Sequence, residues 1–152
     1  MKKIFTENQI PEIAELILKR LLTLPLSIHH KAQIIALYGD LGAGKTTLTK
    51  EIARQLGIKE NVNSPTFVLI KNYELRIKNY RYKKLIHIDA YRFDSEKELE
   101  HLGWEKMLAD PTNLIFIEWP ERVKKFIPKD AIKIYLKHKG EKRSLEIDFD
   151  GR

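Results

Sequence analysis

The chain has 152 residues, of which 43% are hydrophobic, and this is enough for one well-cored domain but too little for a second. It contains no cysteine, so a disulfide framework and a thiolate metal site are excluded, and the composition suits a reducing compartment. The formal net charge of +7 favours acidic partners such as RNA, although part of this charge serves solubility. We therefore expect a single domain over residues 1–152.

The N-terminal segment predicts a cytoplasmic protein that begins with a helix. Its first residues turn polar too soon for a signal peptide, and no apolar run approaches the ~20 residues needed to span a bilayer. No membrane contact is therefore expected. Asn8 is a suitable N-cap, Pro11 falls in the tolerant first turn, and apolar residues then recur at helical spacing up to about Leu22.

A complete phosphate-binding loop follows the first predicted core strand. The strand covers residues 33–38, and the loop at residues 39–46 reads Gly-Asp-Leu-Gly-Ala-Gly-Lys-Thr. A helix is predicted over residues 46–56, where Gly57 ends it. Backbone N–H groups of such a loop close around a phosphate, an exposed Lys45 reaches the outer phosphates, and Thr46 offers its hydroxyl to Mg²⁺. The predicted nucleotide-binding residues are Asp40, Leu41, Gly42, Ala43, Gly44, Lys45, Thr46 and Thr47. The alternative is a turn that only joins a strand to a helix.

A turn-rich segment at residues 61–67 comes after the loop helix. It places Ser64, Pro65 and Thr66 where many related folds carry a segment that senses the terminal phosphate, the metal or the attacking water. Thr66 is therefore a candidate catalytic residue. The alternative is that Pro65 only shapes a turn and Thr66 begins a strand. That strand is predicted over residues 66–73, with a hairpin partner over residues 80–84.

Two later apolar strands each end in a carboxylate. The strand at residues 85–89 ends in Asp89, and the strand at residues 113–118 ends in Glu118. Mg²⁺ prefers hard oxygen ligands, and ligands collect at the carboxyl ends of strands in open α/β sheets. Either acid is therefore a candidate for holding Mg²⁺ together with Thr46, and the residue pattern alone does not choose between them.

Three other side chains lie beside these acids in sequence. His87 shares a strand face with Asp89 and is a candidate supporting group, the alternative being a structural histidine. Arg92 could neutralise phosphate charge, dock a partner or form a surface ion pair. Trp119 could pack beside a nucleotide and shield it from water, or lie in the core or at a partner surface.

The remaining elements complete an α/β pattern. The spacing from Ser95 to Glu98 predicts a capping box and a short helix ending near Gly103, and residues 121–126 form at most two helical turns. Residues 131–137 and 144–149 alternate like an antiparallel pair at the sheet edge. The fold class predicted is α/β with a mixed, mostly parallel central sheet, flanking helices and antiparallel edge strands, which is the architecture of P-loop nucleoside triphosphate hydrolases.

Basic residues are densest in two stretches, residues 71–84 and 133–143. Each is either a solvated face or a contact for nucleic acid or an acidic protein, and charge runs more often point at water.

Four of these motifs together resemble the bacterial TsaE family, also called YjeE. They occupy residues 39–47, 64–67, 87–92 and 118–122, and their order and spacing match throughout. The resemblance implies an ATPase required for making threonylcarbamoyladenosine beside the anticodon of tRNAs that read codons beginning with A. It also implies action with the TsaD–TsaB pair, in which TsaD transfers the group and ATP hydrolysis resets the complex between turnovers. Contact with tRNA is then indirect, and no DNA partner is expected.

The resemblance also assigns roles to individual residues. The loop would bind the phosphates of ATP, Thr46 and Glu118 would bind Mg²⁺, and Asp89 and Thr66 would assist hydrolysis or signal nucleotide state. The region of Thr6 would lie near the adenine. The segment between residues 73 and 85 is longer and more basic than the family pattern, so the geometry of the predicted hairpin is open.

Three other readings share parts of the pattern. A small-molecule kinase would use the same loop, but no arginine-rich lid follows a helix hairpin. A GTP-binding switch would need an Asn-Lys-x-Asp motif, which the sequence does not contain. A nucleotide-sensing adaptor with little hydrolysis of its own overlaps the main reading, because no arginine stands in an obvious finger position and a partner could supply the missing group.

Overall fold

A computed structural model gives the fold and describes residues 1–24, 30–63, 68–78 and 80–149. The strands are β1 (Lys2–Phe5), β2 (Gln33–Tyr38), β3 (Ile70–Glu74), β4 (Lys84–Asp89), β5 (Asn113–Glu118), β6 (Ile132–Lys139) and β7 (Lys142–Asp148). The α-helices are α1 (Ile10–Thr23), α2 (Lys45–Gln55), α3 (Lys97–His101) and α4 (Trp104–Ala109). Short 3₁₀ helices cover Glu7–Gln9 and Pro120–Phe126.

The described strands form one seven-stranded sheet in the order β1-β7-β6-β2-β5-β4-β3. Its four central strands, β6, β2, β5 and β4, run parallel, whereas β3, β7 and β1 pair antiparallel. This confirms the predicted mixed sheet with a parallel centre. None of the described helices is both long enough and apolar enough to cross a membrane.

Strands β2, β4 and β5 are buried on both faces, which explains their nearly continuous apolar sequences. One face packs with α1 and α2 in a core that includes Ile17, Leu37 and Phe116. The opposite face packs with α3, α4 and the second 3₁₀ helix in a core that includes Ile115 and Trp104. The three strands that lead to the functional residues, β2, β4 and β5, are therefore held by packing on both faces.

The register aligns the carboxyl ends of the central strands. Leu37 of β2 and Asp89 of β4 both pair with Glu118 of β5. The loop that follows β2 therefore begins beside the two carboxylates that end β4 and β5.

The antiparallel pair near the C-terminus is not the sheet edge that was predicted. Strand β6 lies inside the sheet and runs parallel to β2, and β7 is covered by β1. The sequence did not indicate β1, because only Phe5 of its residues is buried and a one-sided edge strand has no continuous apolar run. This arrangement brings the β6–β7 hairpin to the side of the phosphate loop.

The predicted hairpin partner at residues 80–84 is right only at its last residue, because Lys84 begins β4 and pairs with Glu74. Strand β3 pairs antiparallel with β4 itself, and residues 80–83 belong to no strand where the structure describes them. The Tyr82 side chain is buried in the core and Tyr80 packs against it, while the Lys83 carbonyl accepts the N–H of Leu75 at 2.8 Å. The described residues 80–83 therefore form a connection that is packed against the core.

Two helix caps differ from expectation. Asn8 lies within the first 3₁₀ helix, and Thr6 precedes that helix with its N–H donating to Gln9 Oε1 at 3.0 Å. The Glu98 carboxylate accepts the N–H of Asp94 at 2.7 Å rather than that of Ser95. Residue spacing located both helix starts, but the capping partners depend on the neighbouring turns.

Candidate nucleotide-binding site

The phosphate loop connects β2 to α2, as predicted, but Lys45 is not exposed. Only 5% of Lys45 is accessible, because its ammonium group turns back and donates to the carbonyl oxygens of Gly39 and Asp40, the latter at 3.0 Å. The Trp119 ring covers the ammonium group, with 4.1 Å from Nζ to the ring centroid. The Lys45 ammonium group is thus bonded within its own loop, and phosphate oxygens would have to replace the two carbonyl oxygens as its acceptors.

The charge of Lys45 is set by two opposing effects. Burial lowers the pKa of the ammonium group from its ordinary value, and the neighbouring carboxylates of Glu118, Glu121 and Asp89 act in the opposite direction. The neighbouring carboxylates offset part of the attraction between Lys45 and an anionic ligand, so a cation that arrives with the ligand would strengthen its binding.

Thr46, Glu118 and His87 form a contiguous polar cluster at the end of the loop. The Thr46 hydroxyl donates to Glu118 Oε1 at 2.9 Å, with Oε2 at 3.1 Å. His87 Nε2 lies 2.8 Å from Glu118 Oε1. The strand register produces this cluster, because His87 and Glu118 end up on one face of adjacent parallel strands. His87, which was predicted as a supporting group, therefore lies in direct contact with Glu118.

Asp89 also reaches the site. It is buried beside its register partner Glu118, and its Oδ1 accepts the N–H of Tyr91 at 3.0 Å. This bond fixes the turn after β4. Between the two acids, the contact with the Thr46 hydroxyl favours Glu118 as the metal-binding carboxylate.

Trp119 lies at the mouth of the site rather than in the core. It adopts a left-handed conformation with φ of 58° between β5 and the following 3₁₀ helix, which turns its ring over Lys45. The ring also contacts Tyr91, with 4.9 Å between ring centroids, and Arg122 lies 6.0 Å from the Tyr91 centroid. Arg92 is exposed beyond this group.

Sequence reasoning missed Arg143 and His138, which support the loop from the β6–β7 hairpin. A Cβ added at Gly44 would lie 2.5 Å from Arg143 Nη1, and one added at Gly42 would lie 3.7 Å from His138 Nε2. Arg143 Nη1 is buried and has no hydrogen-bond partner among the described residues. The only sequence signal was membership of the basic stretch at residues 133–143, since the approach depends on β6 lying beside β2.

The N-terminal segment reaches the same side of the loop. Glu7 pairs with Arg143 at 3.5 Å, so its neighbour Thr6 lies close to the hairpin that supports the loop. Contact between Thr6 and an adenine stays a prediction. Thr66 and the rest of its motif lie outside the described residues, so the catalytic role of Thr66 also stays a prediction.

The phosphate loop, the two acids and the aromatic pair of Tyr91 and Trp119 surround a cavity of about 300 Å³. Its lining comprises Leu41, Gly42, Gly44, Lys45, Thr46, Thr47, Asp89, Tyr91, Glu118 and Trp119. A larger groove, of about 760 Å³, lies on the open face of β1, β6 and β7 and is lined mainly by lysines and two acids. The smaller cavity is the candidate nucleotide site, because it contains residues of the phosphate loop and the groove contains none of them.

The residues present fit a magnesium ion bound together with a nucleotide. No group of three or more histidine, aspartate or glutamate side chains among the described residues could hold a metal unaided. Mg²⁺ typically takes one or two carboxylates and completes its coordination with phosphates and water. The contact between Thr46 and Glu118 supplies the hydroxyl and carboxylate oxygens that such a site needs.

The loop, the buried lysine and the paired hydroxyl and carboxylate, set at the carboxyl ends of a parallel sheet, define a nucleotide-binding protein of the P-loop class. Residues 6–145 match the family described as "Threonylcarbamoyl adenosine biosynthesis protein TsaE". The chain therefore belongs to the TsaE family.

Individual relatives agree with this assignment. The chain is 33% identical over 130 residues to "tRNA threonylcarbamoyladenosine biosynthesis protein TsaE" of Haemophilus influenzae, which covers 85% of this chain and 78% of the relative. It is 38% identical over 116 residues to the protein of that name from Bacillus subtilis, covering 76% of this chain and 68% of the relative. The crystal structure of Bacillus subtilis YdiB superimposes with a TM-score of 0.67 at 28% identity, covering 95% of this chain and 82% of YdiB.

Proposed function

We propose that this chain is a Mg²⁺-dependent ATPase that takes part in the threonylcarbamoyladenosine modification of tRNA. The observation that carries the ATPase activity is the direct contact between the Thr46 hydroxyl and the Glu118 carboxylate beside the phosphate loop. The modification role rests on membership of the TsaE family. The chain acts in this proposal as one P-loop domain in the cytoplasm.

Each part of the site has a role in this proposal. The loop residues from Asp40 to Thr47 bind the phosphates of ATP, and Thr46 and Glu118 hold Mg²⁺. The bound ion would neutralise charge that develops on the phosphates. Asp89 and Thr66 assist hydrolysis or report which nucleotide is bound, and Thr6 lies near the adenine.

The proposed partners are the TsaD and TsaB proteins. TsaD transfers the threonylcarbamoyl group, and ATP hydrolysis by this chain resets the complex between turnovers. The modified tRNAs are those that read codons beginning with A, and the modification lies on the adenosine beside the anticodon. This chain contacts the tRNA only indirectly, through the complex. A small P-loop kinase is the competing activity, and a phosphorylated acceptor rather than free phosphate as product would identify it.

Hydrolysis by the isolated chain is expected to be slow. None of the described residues that line the cavity is an arginine, and phosphoryl-transfer sites commonly need one to stabilise the transition state. TsaD or TsaB would supply or position the missing group. Turnover of about 10 s⁻¹ by the purified chain alone, a typical enzyme rate, would contradict this expectation.

The test is a reconstitution with TsaD, TsaB, tRNA and threonylcarbamoyl-adenylate. Modified tRNA is measured over many turnovers with and without this chain and ATP. We expect one round of modification without the chain and repeated rounds with it, and Thr46→Val should behave like omission of the chain. If the yield over many turnovers does not depend on the chain, the proposed role is wrong and only nucleotide binding remains.

A further inference from the structure

His87 is a buried polar side chain that the phosphate loop does not itself require. It has no accessible surface, and it lies on β4 two residues before Asp89. Its Nε2 lies 2.8 Å from Glu118 Oε1, and its Nδ1 has no hydrogen-bond partner among the described residues. The ring is therefore bonded on one side only, and that bond leads to the proposed metal site.

The direction of this hydrogen bond follows from its acceptor. An ionised carboxylate only accepts, so Nε2 carries the proton and donates it to Glu118. The unpaired Nδ1 costs free energy in a buried position, so an apolar ring of similar size would suit the core better. Packing therefore does not account for a histidine here, whereas the bond to Glu118 does.

The bond becomes more important once a nucleotide and its metal ion are bound. The described structure shows two donors on the Glu118 carboxylate, Thr46 and His87. In the proposed function the Thr46 hydroxyl oxygen binds Mg²⁺, so the orientation of this hydroxyl would be set by the ion. The contact with His87 lies deeper in the sheet, where β4 and β5 fix both backbones.

We infer that His87 is a positioning residue, whose Nε2–H holds the Glu118 carboxylate in the orientation that binds the metal ion beside Thr46. This inference rests on the proposed function, since it takes Glu118 as the metal-binding carboxylate. Partners that orient a metal-binding side chain typically contribute about 10- to 100-fold to metal affinity or activity.

The test replaces the donor and keeps the shape. His87→Phe retains a buried ring without an N–H, and His87→Gln places an amide nitrogen where Nε2 lies. Mn²⁺ substitutes for Mg²⁺ at oxygen ligands, and its binding to the complex of the protein with ADP is measured by electron paramagnetic resonance. We expect His87→Phe to weaken Mn²⁺ binding by about 10- to 100-fold and His87→Gln to restore most of it.

Two measurements separate positioning from a general structural role. Binding of ADP in EDTA should change by less than about twofold in His87→Phe, because the loop contacts are intact. Asn113→Leu is the matched control, since it removes a buried polar group at the opposite end of β5, where Asn113 Nδ2 donates to the Met107 carbonyl at 2.9 Å. It should lower stability and leave Mn²⁺ affinity unchanged.

Each outcome bears on the inference. Mn²⁺ affinity of His87→Phe within about twofold of the wild type, or no recovery in a folded His87→Gln, overturns it. If His87→Phe does not fold, His87→Asn replaces it, because its shorter side chain reaches only to the position of Nδ1; equal Mn²⁺ affinity in His87→Asn and His87→Gln then overturns the inference. A wild-type chain that binds no Mn²⁺ with ADP overturns the proposed function, and the inference with it.

Discussion

Replacing Glu118 by glutamine separates the proposed metal-binding role of this residue from its structural role. Glutamine keeps the size and shape of the side chain and one acceptor oxygen, but it removes the negative charge. Glu118 is 3% exposed, and its carboxylate accepts hydrogen bonds from Thr46 and His87. The substitution therefore changes one charge within a site whose packing stays the same.

The expected effect on the fold is small, because two contributions oppose each other. A hydrogen bond to a charged group contributes about 1.5–3 kcal/mol and one to a neutral group about 0.5–1.5 kcal/mol, so the two bonds together lose about 2 kcal/mol. Removing a buried charge recovers a desolvation penalty of several kcal/mol. We expect the free energy of unfolding to change by less than about 2 kcal/mol, which is below about 8 °C in Tm for a chain of this size.

Glu118→Gln should strengthen the binding of ADP without a metal ion and weaken the binding of the metal ion to the ADP complex. In EDTA the variant should bind ADP up to about 30-fold more tightly, because it loses the repulsion between the Glu118 carboxylate and the phosphates; like unit charges roughly 8 Å apart repel by about 2 kcal/mol at an effective dielectric constant near 20. With Mn²⁺ present, binding of the ion to the ADP complex should weaken at least as much as when an orienting partner is lost, about 10- to 100-fold.

Isothermal titration of ADP with EDTA and with Mn²⁺ measures both effects on the same protein. Asp89→Asn is the matched control, because Asp89 is buried beside Glu118 and its Oδ1 is bonded to the Tyr91 N–H. We expect its Mn²⁺ affinity to fall less than that of Glu118→Gln. The reasoning is refuted if Asp89→Asn loses Mn²⁺ binding and Glu118→Gln keeps it, since the metal-binding carboxylate would then be Asp89.

Three further substitutions, with Gly140→Ala as a control for one of them, test other parts of the site. Lys45→Ala should lower ADP affinity by about 10- to 100-fold in titrations, because a charged hydrogen bond to a phosphate is lost, and unchanged affinity would remove Lys45 from the site. Arg143→Ala should lower it by up to about 30-fold, since Arg143 is a half-buried cation beside the loop and opposite unit charges roughly 8 Å apart attract by about 2 kcal/mol at an effective dielectric constant near 20; an unaltered affinity at low salt would show that Arg143 only packs against the loop. Gly39→Ala should cost about 3 kcal/mol or more in urea unfolding, because φ is 145° and the new Cβ would lie 2.4 Å from the Leu136 carbonyl oxygen. Gly140→Ala, with φ of 63° and an open surrounding, should cost about 1 kcal/mol, and equal losses for the two glycines would contradict the close approach.

The central part of the fold was predictable because each strand carries its own signal. Strands buried on both faces are continuous apolar runs, so the predictions at residues 33–38 and 113–118 coincide with β2 and β5. Strand β1 has no such run, and its place depends on β7, which is far away in sequence. Pairing across the edge is a tertiary property, so a pattern within a few residues could not reveal it.

Some residues of the candidate site were likewise predictable from local sequence, and others depend on contacts between distant parts of the chain. Residues 39–46 and the two acids were predictable, because the loop chemistry requires fixed residue types and strand ends bring carboxylates to one edge. The burial of Lys45 and the approach of Arg143 were not, because they depend on Trp119 and on the β6–β7 hairpin. The residue pattern left Asp89 and Glu118 open as metal-binding candidates, the family resemblance favoured Glu118, and the contact between Glu118 and Thr46 favours it as well.

The contacts of Lys45 connect the phosphate loop to the surface of the protein. Its ammonium group must leave the Gly39 and Asp40 carbonyls to bind a phosphate, and the Trp119 ring that covers it must then move or lose its cation–π contact. Trp119 packs against Tyr91, which is 41% exposed. A change at the loop therefore alters a surface aromatic side chain through two direct contacts. Because a partner can read nucleotide state only through surfaces that differ between states, the face formed by Trp119 and Tyr91 is where such a difference has the shortest route to appear.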